Sequence, residues 1–281
     1  AFLGARIAKK KKLPLYLDVR DIFVDTMENI LPTIISRLAK PILSYVERYT
    51  FNGANRINLV SKGFLKYFEC RYSSTPFRFF TNGIDEEFMN AAPAHHMEHE
   101  PGSVINVLYV GNIGEGQGLH KVVPELAKRL NAKVHFRIIG DGGQRKHLKN
   151  SIEHLGLMNV ELLPPVNRTD LIEEYRKADI LFLHLNDYPA FEKVLPSKLF
   201  EYAAMGKPMW AGLAGYSSQF VQSEINECEV FVPCNIADAI KKFDAINLGV
   251  KPRTEFNKKF RRVDIMSSMA SDIIELAEDY D

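Results

Sequence analysis

Most features that would quickly assign this chain to a class are scarce or missing. Its 281 residues hold three cysteines, Cys70, Cys228 and Cys234, too few and too scattered for a disulfide framework or a Cys-x-x-Cys knuckle. That usage fits a reducing compartment. No apolar run approaches the roughly eighteen residues that a spanning helix needs. The formal net charge is +1, so no global field draws the chain to nucleic acid. The dinucleotide fingerprint G-x-G-x-x-G fails in every frame. From Gly114, Gly116 and Gly140 its third glycine would fall on Leu119, Lys121 and Arg145. The triphosphate loop G-x-x-x-x-G-K-[ST] is absent as well. A nicotinamide oxidoreductase is disfavoured on these grounds.

What is present is the material of a soluble globular core, with 46% hydrophobic and 25% charged residues. Nine apolar, β-branched runs alternate with longer amphipathic segments. They are 13–19, 56–61, 77–81, 105–111, 133–140, 160–164, 180–185, 208–212 and 229–233. Near-continuous apolar strands separated by helices imply parallel sheets covered on both faces. Right-handed crossovers then give an α/β, doubly wound architecture. The aperiodic stretch from Asn90 to Ser103 reads as a linker. Its His95, His96 and His99 lack a persuasive metal spacing.

The expected organisation is therefore residues 1–89 as the second half of one doubly wound domain, linker 90–103, a complete domain over 104–253, and a tail helix over 254–281. The chain starts at Ala1 inside a helical pattern, and the first half of the leading domain is expected to precede it. Two local basic clusters stand out, Lys9 to Lys12 and Lys258 to Arg262. They are either solvated surface or a means of attraction to an anionic membrane, where each basic residue near the lipid contributes about 1 kcal/mol.

Two segments carry candidate chemistry. In "YVGNIGEGQGL" (Tyr109 to Leu119) a strand enters a glycine loop and a helix follows. Such a loop lets backbone amides and a helix N-terminus approach a phosphate; it is also what a tight strand-to-helix turn needs without any ligand. In "LPSKLFEYAAMG" (Leu195 to Gly206) a helix starts with Pro196 in its first turn and stops at Gly206. Ser197 and Lys198 lie near its free N–H groups, and Glu201 is one turn on. Lys198 and Glu201 either face an anion pocket or form an ordinary surface pair.

Together these segments resemble the retaining GT-B glycosyltransferases of the family 4 type, which include bacterial lipopolysaccharide, O-antigen and capsule enzymes. The resemblance runs through "LDVRDIF", "INLVSKGFLKYF", "TNGIDEEF", "YVGNIGEGQGL", "FRIIGDGGQRKHL", "NVELLPPVNRTDLIEEYRKADILFLHL" and "PSKLFEYAAMGKP", in that order. It is nearest the branch that transfers N-acetylated or deoxy amino sugars. It implies two Rossmann-like domains facing across a cleft, with a tail helix that packs back toward the N-terminal domain. It also implies transfer of a hexosyl or N-acetylhexosaminyl group with retention, from a nucleoside diphosphate sugar, UDP-sugar favoured. The acceptor would be a glycan or a polyprenyl-linked acceptor of cell-surface polysaccharide synthesis. The implied location is cytoplasmic, peripheral on the inner membrane face, with no metal, no cofactor and no nucleic acid partner.

The resemblance assigns donor contacts to Asn112, Ile113, Gly114, Gln117 and Gly118 in the loop, with the amides of Asn112, Ile113 and Gly114 receiving the phosphates. Pro165 and Val166 would border the base. Leu195, Pro196, Ser197 and Lys198 would meet the diphosphate, and Glu201 the ribose. Three positions depart from the family pattern. Its loop Arg and Lys fall on Asn112 and Gln117, so Lys198 is expected to supply the cation. Its two Glu, eight positions apart, fall on Lys193 and Glu201, so either Glu192 takes over the sugar contact or that contact is lost. Its acceptor-side His-Asp pair becomes Arg20-Asp21, with Asp21 as acid or base and Arg20 orienting it. The alternative is that Asp18, Arg20 and Asp21 form a structural cluster. A GT-B sugar-nucleotide epimerase and a non-catalytic sugar-nucleotide-binding subunit are the alternative functions.

Overall fold

Each of the nine apolar runs forms a strand, and every strand pairing among the described residues is parallel. The computed structural model describes residues 1–30, 33–93 and 102–280. In chain order the elements are α1 (Phe2–Lys11), β1 (Tyr16–Val19), α2 (Phe23–Ile30), α3 (Thr33–Asn52), β2 (Arg56–Leu59), α4 (Leu65–Glu69), β3 (Phe77–Arg78), α5 (Glu86–Ala91), β4 (Ile105–Val110), α6 (Leu119–Arg129) and β5 (Val134–Ile139). Then come α7 (Arg145–His154), β6 (Val160–Leu163), α8 (Arg168–Lys177), β7 (Ile180–His184), α9 (Lys198–Ala204), β8 (Met209–Gly212), α10 (Gly215–Glu224), β9 (Cys228–Phe231), α11 (Ile236–Phe243), α12 (Thr254–Lys259) and α13 (Arg262–Glu278).

The chain divides into two units. The first holds Ala1–Gly83, Tyr188–Leu195 and Arg261–Asp281; the second holds Ile84–Asp187 and Pro196–Phe260. These bounds differ from the expected ones in three places, each for a visible reason. Residues 84–89 group with the second unit, because Phe88 of α5 packs on Tyr175, ring centroids 5.8 Å apart. Tyr188–Leu195 groups with the first, where Ser61 donates to the Lys193 carbonyl (2.5 Å) and Lys193 pairs with Asp25 (2.6 Å). The tail is two helices. Phe256 and Phe260 of the α12 region stack around Phe200 in the second unit, whereas α13 lies in the first. Part of the expected linker, 94–101 with its three histidines, lies outside the described residues.

The first unit has a three-stranded sheet, β1-β2-β3. Its core gathers Leu17, Val19, Ile57, Leu59, Phe64 and Phe68. Asp272 on α13 is buried against this unit and takes bonds from Arg56 Nη1 and Arg78 Nε, both 2.7 Å from Oδ1. Two neighbouring strands thus share one helix carboxylate.

The second unit has a six-stranded sheet ordered β6-β5-β4-β7-β8-β9. Trp210 on β8 is wholly buried among Phe136, Phe182, Phe231 and Phe243. Its Nε1–H donates to the Ala239 carbonyl at 3.1 Å, so the indole's one polar atom is satisfied. Strand order reverses between β4 and β7. In open parallel sheets the crevice at such a switch point, beyond the carboxyl ends of the strands, is where ligands sit.

Candidate functional site

The loop after β4 is built to hold one shape. Ile113 donates its N–H to Asp141 O (2.7 Å) and accepts from Gln144 N–H (2.8 Å), while its side chain is wholly buried. The second glycine cluster is the seat for this contact. A Cβ on Gly140 would stand 1.9 Å from Gly111 O, and one on Gly142 would stand 2.6 Å from the Ile113 backbone. Only glycine lets the two loops touch. The expectation that the Ile113 amide receives a phosphate is corrected by this bond: its N–H is already spent inside the fold.

Asn112 and Gln117 occupy each other. Asn112 Nδ2 donates to Gln117 Oε1 at 2.9 Å, and Gly114 N–H donates to the same oxygen at 3.2 Å. Tyr109, its phenol raised in pKa by burial and so protonated, donates to Asn112 O at 2.6 Å. Gly118 caps α6 with φ +61, a conformation that favours glycine, and a Cβ there would stand 3.0 Å from Asn186.

Across the switch point, the end of β7 supports the same loop from below. His184 is wholly buried and stacked on Phe182 and Phe231. Burial lowers its pKa to about 4, so the ring is neutral. Its Nδ1 lies 2.6 Å from Gln117 O, and its Nε2 accepts from Cys234 N–H at 3.1 Å. Those two bonds fix the Nδ1–H tautomer. Gly212 makes room for the ring, since a Cβ there would lie 2.2 Å from His184 Cδ2. Asn186 donates to Glu115 O (2.8 Å) and accepts from Lys121 Nζ (3.2 Å); Lys121 also pairs with Glu115. None of His184, Asn186, Glu115 and Lys121 was expected. A polar His closing an apolar strand at its carboxyl end was the available signal.

The second segment joins this frame through Tyr202. Its hydroxyl accepts from Val110 N–H at 2.9 Å, one residue before the loop. Glu201, the preceding residue on α9, takes Tyr175 OH (3.0 Å) and Lys198 Nζ (2.8 Å), both on Oε2. Its side chain is 14% exposed and that of Lys198 28%, so the i, i+3 pair is set back from the surface rather than splayed on it. The helix starts at Lys198, two residues after Pro196, and turns off at Gly206 with φ +66. Ser197 is exposed at its N-terminus. Pro165 and Val166 are exposed after β6.

Leu195 groups with the first unit, where its carbonyl accepts from Asn82 Nδ2 at 3.1 Å, and Glu192 is exposed in the same segment. In that unit Arg20 does not orient Asp21. Its guanidinium pairs with Asp18 at 2.8 Å and reaches Asn82 Oδ1 at 3.3 Å. Asp18 and Arg20 are i and i+2, one side of an extended chain, so the pairing follows from strand geometry. Asp21 has no hydrogen-bond partner among the described residues and is open to solvent at the rim of an apolar cavity of about 300 Å³. Desolvation on the cavity side raises its carboxyl pKa.

Comparison with known proteins matches residues 96–263 to the family model described as glycosyl transferases group 1. WcaI of Escherichia coli (strain K12), named as a colanic acid biosynthesis glycosyl transferase, is 28% identical over 145 residues, which are 52% of this chain and 34% of WcaI. Among solved structures, HepE of Anabaena in complex with UDP and glucose superposes with a TM-score of 0.69 at 17% identity, over 96% of this chain and 74% of that one. The lipopolysaccharide outer core galactosyltransferase WaaB gives 0.64 at 15% identity, over 98% and 78%. These likenesses show the α/β GT-B fold.

Proposed function

Because the chain belongs to the glycosyl transferases group 1 family, we propose that it moves a sugar from a nucleoside diphosphate sugar, UDP-sugar favoured, to a glycan or polyprenyl-linked acceptor. The anomeric configuration is retained and the product belongs to cell-surface polysaccharide synthesis. The acceptor oxygen bonds to the anomeric carbon, the bond to the diphosphate breaks, and the diphosphate leaves with its electron pair. The acceptor proton passes to a base. The reading uses no metal and no cofactor.

The observation that carries it is the Tyr202 to Val110 bond, which joins the Lys198–Glu201 pair to the glycine loop at a sheet switch point. The leaving diphosphate gathers negative charge, and Lys198 supplies the compensating cation once it turns from Glu201. Gln117 keeps its amide hydrogens for an incoming oxygen, because its carbonyl already serves Asn112 and Gly114. Glu201 Oε1 accepts from the ribose, since Oε2 is occupied. Pro165 and Val166 border the base. Uridine is supported by the complex of the fold relative HepE with UDP and glucose. Asp21 remains the candidate acid or base on the first unit, now without Arg20.

A thermal-shift panel of nucleoside diphosphates and sugar nucleotides tests this. UDP at about a hundred times its dissociation constant adds about 2.7 kcal/mol, a rise of several degrees in Tm. No stabilisation by uridine, guanosine or adenosine diphosphates would overturn the reading. A second reading, a donor-binding subunit without transfer, is favoured by the neutral Asn112–Gln117 pair. It predicts stabilisation by the nucleotide with no release of nucleoside diphosphate when acceptors are added.

A further inference from the structure

Tyr175 on α8 is wholly buried, and its hydroxyl ends on a carboxylate of the second unit's candidate site. Two rings pack on it. Phe88 of α5 lies 5.8 Å away between centroids, and Tyr202 of α9 meets it edge-on at 5.4 Å. A ring held this way has little rotamer freedom, so the hydroxyl has a fixed place. Phenylalanine would fill the same space. What tyrosine adds is one polar atom, and a buried polar atom costs stability unless it is bonded.

That atom belongs to a triangle. Tyr175 donates to Glu201 Oε2 at 3.0 Å, Lys198 Nζ lies 2.8 Å from the same oxygen, and Lys198 Nζ is 3.4 Å from the tyrosine hydroxyl. Burial first, then the neighbouring Tyr202 and Glu201, raise the phenol's pKa, so it keeps its proton and stays a donor. Lys198 is the most exposed of the three and Tyr175 the least. When Lys198 turns to a diphosphate, a carboxylate largely withdrawn from water loses its counter-charge. That is costly unless another donor remains. Tyr175 is the donor that remains. It also selects the oxygen that is held, because Oε1 takes no hydrogen bond among the described residues.

From this arrangement we infer that Tyr175 is a positioning residue of the nucleotide site. It holds Glu201 by Oε2 while Lys198 leaves, keeps Oε1 turned to the ribose, and so sets a preference for nucleotides that carry ribose hydroxyls. The inference rests on the proposed donor site. Tyr175 touches no substrate and acts through Glu201. The terminal torsion of a glutamate is broad, so without the tyrosine bond the carboxylate presents no fixed oxygen.

The test is calorimetric binding of UDP, GDP and ADP to the full chain, each beside its 2′,3′-dideoxy form. The native chain should hold at least one of the three about tenfold or more tightly than its dideoxy form, as a hydrogen bond to a charged group implies. Tyr175→Phe keeps the ring and deletes only the hydroxyl. It should reduce that preference to about twofold or less. In a Glu201→Ala background the same substitution should leave the preference where it is, because the tyrosine acts through that carboxylate. Matching thermal melts check that the variants are folded. An unchanged preference in Tyr175→Phe, or a loss of affinity for both forms by the same factor, would overturn the inference and assign Tyr175 to packing alone. Equal binding of both forms by the native chain would also overturn it, with the donor site still standing. No binding of any of the three nucleotides by the native chain would overturn the donor site and this inference together.

Discussion

The two units differ in how the groups expected to carry chemistry are held. In the second, the polar groups around the glycine loop are committed before any ligand arrives. Gln117 holds Asn112, His184 holds Gln117, and Glu201 holds Lys198 and Tyr175. In the first, one carboxyl at the cavity rim, Asp21, is left alone while its neighbours Asp18 and Arg20 pair with each other. A preformed network suits a ligand of fixed shape, because its groups lose little freedom on binding. A lone carboxyl beside an apolar cavity suits a proton transfer, because nothing there locks its charge state.

The largest effect that sharpens this contrast is expected at Asp272. Its side chain is 8% exposed, as is that of Arg56. Asp272→Ala leaves the buried Arg56 with only the exposed Glu275, 3.6 Å away, as counter-charge and should cost about 3 kcal/mol in urea unfolding. The loss should fall on the first unit, with nucleotide stabilisation of the second unchanged. A loss below about 1 kcal/mol would show that α13 is not anchored through this carboxylate.

An intermediate effect separates the units by pH. His184 has its pKa lowered from 6.5 to about 4 by burial. As pH falls through 6.5 the unfolded chain takes up a proton that the folded chain refuses until about pH 4. Stability is therefore complete above the unfolded value and falls by about 3 kcal/mol across that window. Burial pulls the Asp272 carboxyl up, but the hydrogen bond from Arg78 and the charges of Arg78 and Arg56 bring it below 3.8. Its contribution is present above 3.8 and lost only as pH falls through the lower folded value. Acid should thus weaken the second unit first. Melts of the native chain and of His184→Gln between neutral pH and about pH 4 check this; equal slopes for the two proteins would break the comparison.

The smallest effect on stability is expected at Asp21. Asp21→Asn removes an exposed, unpartnered charge and should change stability by no more than about 0.5 kcal/mol. Nucleotide stabilisation should stay as it was while turnover collapses. Unchanged turnover would remove Asp21 from the chemistry and leave the first unit without a candidate base.

Much of the fold was legible because its strands are buried on both faces. Runs such as those at β4, β5 and β7 are apolar without interruption, and their spacing leaves room only for parallel crossovers. The two loop segments were legible for a related reason: glycine after a strand and proline before a helix are local signals. Their internal bonds were not. Gln117 reaches its donors within its own loop, but His184 meets Gln117 from 67 residues away. The glycines at 140 and 142 fail the cofactor spacing, and only the fold shows that they are there to admit the neighbouring loop. Arg20 could have been assigned to Asp18 from the two-residue strand period alone. The breaks at Phe260 and around Tyr188 to Leu195 follow from aromatic packing and distant carbonyls, which no local pattern encodes.

The sequence by itself determined the parallel α/β architecture, the nine strands among the described residues, and the glycine turn and proline-led helix start of the two loop segments. Burial and backbone conformation act through nearest neighbours along the chain, so the chain displays them. Tertiary structure decided that the Ile113 amide is spent, that Asn112 and Gln117 pair, that Glu201 is held by Tyr175, and that Asp21 stands alone. Each of those turns on which atom lies within about 3 Å of another, and folding alone brings such atoms together.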